Sequence, residues 1–119
     1  MLTPEQIAAV AAHALEEKKA HDVKILKTAE QTVLADYFVI GNGTSSTHIM
    51  ALVDEVDKEL SEAGEPPIRR EGLRSDIWVL MDFGSVIVHV FTDEARKFYN
   101  LERLWSDSEE VALSSLPRP

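Results

Sequence analysis

The sequence predicts an α/β domain: one mixed β-sheet with helices covering at least one of its faces. Two stretches with helical spacing open on capping residues, and runs of β-branched and aromatic residues lie between and after them. The two kinds of segment interleave along the chain, which favours a layered α/β arrangement over separate helical and sheet domains. The predicted order is helix, strand, strand, helix, strand, hairpin, helix.

The first helix carries its own start signal. Thr3-Pro4-Glu5-Gln6 puts Thr at the N-cap, Pro at the first helical position and Gln where a capping box closes. Ile7, Val10, Ala11, Ala14 and Leu15 follow at helical spacing, with Lys18 and Lys19 at the negative end of the dipole, so the helix is expected over about 4–19. Val23 to Lys27 alternates and reads as a strand, and the polar Thr28 to Thr32 reads as a turn. Ala35 to Ile40 is an unbroken apolar strand of the buried kind. It runs into the loop Gly41 to Ser46, where the second helix begins. Ile49, Leu52, Val53, Val56, Leu60 and Ala63 form that helix's apolar stripe, opposite an acidic face of Asp54, Glu55, Asp57, Glu59 and Glu62. Gly64 and Pro66-Pro67 stop it.

Ile68 to Gly72 is a short edge strand, and Asp76 to Phe91 is a hairpin with Phe83-Gly84-Ser85 at or beside its turn. With an even loop, Ile77, Val79, Met81 and Phe83 share one side with Val86, Val88 and Val90. Trp78, Leu80 and Asp82 share the other with Ile87, His89 and Phe91. The first side is wholly apolar and must be covered. The second mixes an indole, a carboxylate and an imidazole with aliphatics, a composition suited to meeting a partner. Thr92 caps a last short helix through Ala95, Phe98 and Tyr99, and Leu101 to Trp105 packs a final apolar pair onto the body. Residues 1–105 form the expected domain, and 106–119, acidic and ending in proline, a flexible tail.

Composition narrows the function. The chain has 119 residues, enough for one domain, and no cysteine, hence no disulfide, thiol nucleophile or thiolate metal site. No apolar run approaches the roughly 20 residues needed to span a bilayer, and the N-terminus lacks a secretory pattern, so a cytoplasmic protein without membrane contact is expected. The formal charge of −9 opposes a phosphate backbone. The one compact basic cluster, Arg69, Arg70 and Arg74, is interrupted by Glu71. A basic protein is the electrostatically favoured partner, and DNA is not expected.

Sites for chemistry are sparse. Gly43, Thr44 and Ser45 lie between a strand and a helix, where backbone N–H groups bind anions, but the loop lacks the lysine of a P-loop and the third glycine of a dinucleotide fingerprint. Asp82 and His89 share a sheet face without an evident third metal ligand, so no metal is expected and a structural hydrogen bond between the two, or a surface contact, is favoured. No serine sits in a nucleophile elbow. Trp78 beside Leu80 has the character of an interface anchor, since Trp is over-represented among binding hot spots.

Four ordered motifs carry a resemblance. They are Ala35-Asp36-Tyr37-Phe38-Val39-Ile40; Gly43-Thr44-Ser45-Ser46 with His48; Glu71-Gly72; and the hairpin, W-x-x-x-D-x-G-x-x-x-x-H on Trp78, Asp82, Gly84 and His89. The hairpin continues into Arg96, Tyr99, Leu101, Glu102, Leu104 and Trp105. From about Asp22 to Trp105 the chain resembles the ribosomal silencing factor family, called RsfS in bacteria and related to the plant Iojap protein.

That resemblance implies a nucleotidyltransferase-like fold without the catalytic carboxylates, no enzymatic activity and no cofactor. It implies binding to the large ribosomal subunit through its basic L-fourteen protein, with little or no direct contact to ribosomal RNA. Small-subunit joining would be blocked sterically, repressing translation under nutrient limitation. On this reading Trp78, Leu80, Asp82, His89 and Glu71 meet the partner. Thr47 and Ser85 depart from the residues common among relatives. Two other readings stay open: a nucleotide-binding or nucleotidyl-transferring enzyme using the 41–46 loop, and a homodimer formed off the ribosome through the hairpin.

Overall fold

The computed structural model describes residues 2–28, 35–72, 78–99 and 109–116. In chain order the elements are α1 (Pro4–Glu17), β1 (His21–Lys27), β2 (Tyr37–Gly43), α2 (Ser46–Glu62), β3 (Arg69–Gly72), β4 (Trp78–Asp82), β5 (Val86–Thr92), α3 (Asp93–Tyr99) and β6 (Glu109–Val111), then a 3₁₀ turn, Leu113–Ser115. The six strands form one sheet in the order β3-β4-β5-β2-β1-β6. Only β2 and β5 run parallel among its pairings, and the α/β expectation with a mixed sheet holds.

The capping box of α1 forms as its sequence demands, with Thr3 and Gln6 each taking the other's backbone N–H. The helix ends at Glu17 rather than Lys19, because Lys19 turns left-handed (φ 63°). Lys19 N–H donates to the Glu16 carbonyl and Ala20 N–H to that of Leu15, a Schellman ending with lysine where glycine is usual. α2 ends the same way on Gly64 (φ 88°), with Gly64 bonded to Ser61 and Glu65 to Leu60.

Both helices lie on one face. Ile7, Ala11 and Leu15 of α1 and Ile49, Leu52, Val53, Val56 and Leu60 of α2 pack on Ile25, Val39, Val79, Met81, Val86, Val88 and Val90. Leu52 is fully buried there, and truncating such a leucine to alanine costs about 2–5 kcal/mol. Gly41-Asn42-Gly43 corrects the sequence reading: these residues are not a loop but the end of β2, paired with Val90, Phe91 and Thr92. The glycines serve close approach. A Cβ on Gly41 would lie 3.0 Å from Leu15 Cδ1, and one on Gly43 2.9 Å from Ile49 Cγ1.

The opposite face carries a smaller cluster of Leu26, Ala35, Phe38, Ile40, Phe91 and Ala95, with Trp78 and Ile87 against it. α3 reaches this side, capped by Thr92, whose Oγ1 accepts the Ala95 N–H. Arg96 fastens it: Nη1 donates to Asn42 Oδ1 at 2.8 Å and to the Asp22 carbonyl, while Asn42 Nδ2 donates to Asp93. Asp22 is left-handed (φ 53°) at an irregularity in β1.

Of the flexible tail expected from 106, the structure describes residues 109–116. Glu109–Val111 pairs antiparallel with Ile25–Lys27, and Val111, Leu113 and Leu116 pack on the main core. Those three side chains give residues 109–116 an apolar attachment that their acidic start does not suggest. Arg74, Asp76, Ile77 and Leu101 to Trp105, and the side chain of Tyr99, lie outside the described residues.

Candidate functional site

β4 and β5 pair Trp78 with Phe91, Leu80 with His89 and Asp82 with Ile87, so the two-residue loop Gly84-Ser85 keeps facing residues on one side of the sheet. Gly84 takes φ 84°, the left-handed region that suits glycine at such a tight turn. The expected division follows. Val79, Met81, Phe83, Val86, Val88 and Val90 are buried under the helices, while the mixed side has Trp78, Leu80 and Asp82 half-buried.

Cross-strand rows order that mixed side. β3 adds Glu71 opposite Leu80 and Arg69 opposite Asp82. One row therefore reads Glu71, Leu80, His89, Ile40, and the next Arg69, Asp82, Ile87, Phe38. The structure thus brings Trp78, Leu80, Asp82, His89 and Glu71 onto one face of three adjacent strands.

His89 occupies a supporting place there. It is 5% exposed, beneath Trp78, and Trp78 Nε1 donates to its Nδ1 at 3.1 Å. Phe38 meets the imidazole edge-on at 5.3 Å, and Trp78 stacks on Phe91 at 4.9 Å. Burial pushes the His89 imidazole down to about 4, so it is neutral near pH 7. Because indole N–H only donates, Nδ1 is the acceptor and the ring proton sits on Nε2.

The hydrogen bond anticipated between His89 and Asp82 is absent. Asp82 instead accepts the Gly84 N–H at 2.8 Å and pairs with Arg69 Nε at 3.3 Å. Direct register explains the difference: Leu80, not Asp82, is the cross-strand neighbour of His89. Arg69 also approaches Glu71 at 3.6 Å. Its part in the site was missed because the sequence shows a basic cluster, whereas the strand register sends Arg69 and Arg70 to opposite sides. Arg70 pairs with Asp54 and Asp57 of α2.

The connection from Gly43, at the end of β2, through Thr44 and Ser45 has other partners for its groups. Thr44 N–H donates to His48 Nδ1 at 2.9 Å, Ser45 Oγ caps α2 by accepting the His48 N–H, and His48 Nε2 donates to the Lys18 carbonyl at 2.7 Å. His48 thereby ties the start of α2 to the end of α1. Among the described residues no group of three His, Cys, Asp or Glu side chains is placed to hold a metal ion. No described helix is long and apolar enough to cross a membrane.

Known proteins resemble this chain in sequence and in fold. The profile of the family described as "Ribosomal silencing factor during starvation", RsfS, matches residues 2–119. A ribosomal silencing factor from Halalkalibacterium halodurans is 36% identical over 115 residues, covering 97% of this chain and 98% of its own. A mouse protein named for mitochondrial assembly of the ribosomal large subunit is 36% identical over 112 residues, 87% of this chain and 49% of its own. A crystal structure from Chromobacterium violaceum superposes with a TM-score of 0.85 at 35% identity, covering 88% of each chain. The fold and a match along nearly the whole length agree: the chain belongs to the ribosomal silencing factor family, RsfS.

Proposed function

We propose that this protein represses translation in the cytoplasm by seating the mixed face of β3, β4 and β5 on the basic L-fourteen protein of the large ribosomal subunit, excluding the small subunit by volume. The observation that carries the reading is the grouping of Trp78 and Leu80 with the Asp82 and Glu71 carboxylates on one sheet face. An aromatic anchor with a charged rim is the anatomy of a specific protein interface. His89 and Phe91 hold the indole from below, so Trp78 is pre-organised and loses little side-chain freedom on docking. The name of the mouse relative supports a large-subunit partner.

On this reading inhibition requires no chemistry and no cofactor. The engagement of Thr44, Ser45 and His48 with one another and with Lys18 weighs against a nucleotide cradle at residues 41–46. Protein from this chain should sediment with purified large subunits and not small ones. It should also slow their association in a light-scattering assay. Unchanged subunit joining at saturating protein would defeat the proposal.

A further inference from the structure

We infer that Arg69 is a built-in competitor for the partner's cations, and so sets how tightly this face takes a basic protein; the inference rests on the docking reading above. One guanidinium spans two carboxylates on the same side of the sheet, Asp82 at 3.3 Å and Glu71 at 3.6 Å. Those are the groups that an incoming lysine or arginine would use. A cation arriving there must repel Arg69 or displace it, and like charges brought together at an interface oppose binding.

Displacement is easy. Arg69 and Glu71 side chains are 57% and 45% exposed, so water screens their attraction and that pair is held only weakly, while Asp82 at 19% exposure is the firmer of the two anchors. Asp82 keeps its position without Arg69, since its other oxygen is fixed by the Gly84 N–H. β3 also keeps its place, held by its ladder to β4 and by Arg70 on Asp54 and Asp57. Removing Arg69 therefore leaves Asp82 placed, frees Glu71 from the pair and changes the local charge of the trio from −1 to −2 (one arginine, two carboxylates).

The test compares wild type, Arg69→Gln and Arg69→Lys by sedimentation with purified large ribosomal subunits at about 50 mM and about 300 mM salt, either side of physiological screening. Arg69→Gln should bind about three- to fivefold tighter at low salt, with the gain fading at high salt, and Arg69→Lys should stay within about twofold of wild type. Arg69→Thr, a better strand former, guards against a folding artefact and should show the same gain. Wild-type binding with equal or weaker binding by the neutral variants would overturn the competitor role alone. Failure of the wild type itself to sediment would remove the docking reading and this inference together.

Discussion

Trp78 donates its indole N–H across the β4–β5 pair to Nδ1 of His89, a buried imidazole held neutral by its surroundings. The bond couples an interface candidate to the packing beneath it. Trp78→Ala removes the Phe91 stack and leaves His89 without its donor. Large-subunit binding should weaken by about 2 kcal/mol or more, as hot-spot truncations do. Trp78→Phe keeps a ring but no N–H, and should cost about 1 kcal/mol of stability while retaining more binding. Urea unfolding and sedimentation with large subunits separate the two effects.

Acid should act on this protein through two opposed groups. The unfolded chain protonates His89 near 6.5 whereas the folded ring resists to about 4, so this contribution to stability is lost as pH falls from 6.5 toward 4. Glu59 does the reverse. Burial first, then a hydrogen bond with Glu55 and the charge of Glu17, push its carboxyl up to about 7, and its Oε2 has no hydrogen-bond partner among the described residues. The stability it contributes is full below about 4.5 and is lost as pH rises through about 7. Between about 4.5 and 6.5 the two slopes oppose one another. Glu59→Gln should therefore be more stable than wild type at pH 8 and fall more steeply between pH 6.5 and 4. Urea midpoints across pH check both signs.

Lys19 holds a backbone conformation that suits glycine. Lys19→Gly should raise stability by about 1 kcal/mol, since the left-handed region costs a side-chain-bearing residue that much or more. Thermal unfolding reads it directly. A fall in midpoint would mean that the lysine side chain contributes more than its backbone costs.

Gly43→Ala should destabilise by about 1–3 kcal/mol, because the new methyl meets both the side chain and the backbone of Ile49, at 2.9 and 3.1 Å. The start of α2 must shift for it to fit. Amide exchange in residues 44–49 would show the disturbance concentrated there, and a wild-type melting curve would refute the packing role.

Much of the fold and face assignment could be read from pattern. The capping box of α1, the Gly64 stop of α2 and the alternation through Trp78–Phe91 are local signals, and these elements sit within a few residues of their expected spans. What escaped depends on contacts distant in sequence. Gly41 and Gly43 resemble a loop until Leu15 and Ile49 press on them. Glu109–Val111 becomes a strand only because β1 offers it an edge. In the candidate site, the common face of Trp78, Leu80, Asp82 and His89 was legible from alternation. The burial of His89 and the bridge made by Arg69 follow from strand order and register, which one chain does not disclose.

The last strand has a bearing on which sheet edge is open to self-association. Glu109–Val111 occupies the hydrogen-bonding rim that Ile25–Lys27 would otherwise present to other molecules. Two glutamates lead that strand, so the outermost rung repels a like copy of itself. Cutting the chain after residue 108 should strip away this guard and give a protein that self-associates with rising concentration, a shift that size-exclusion chromatography would register.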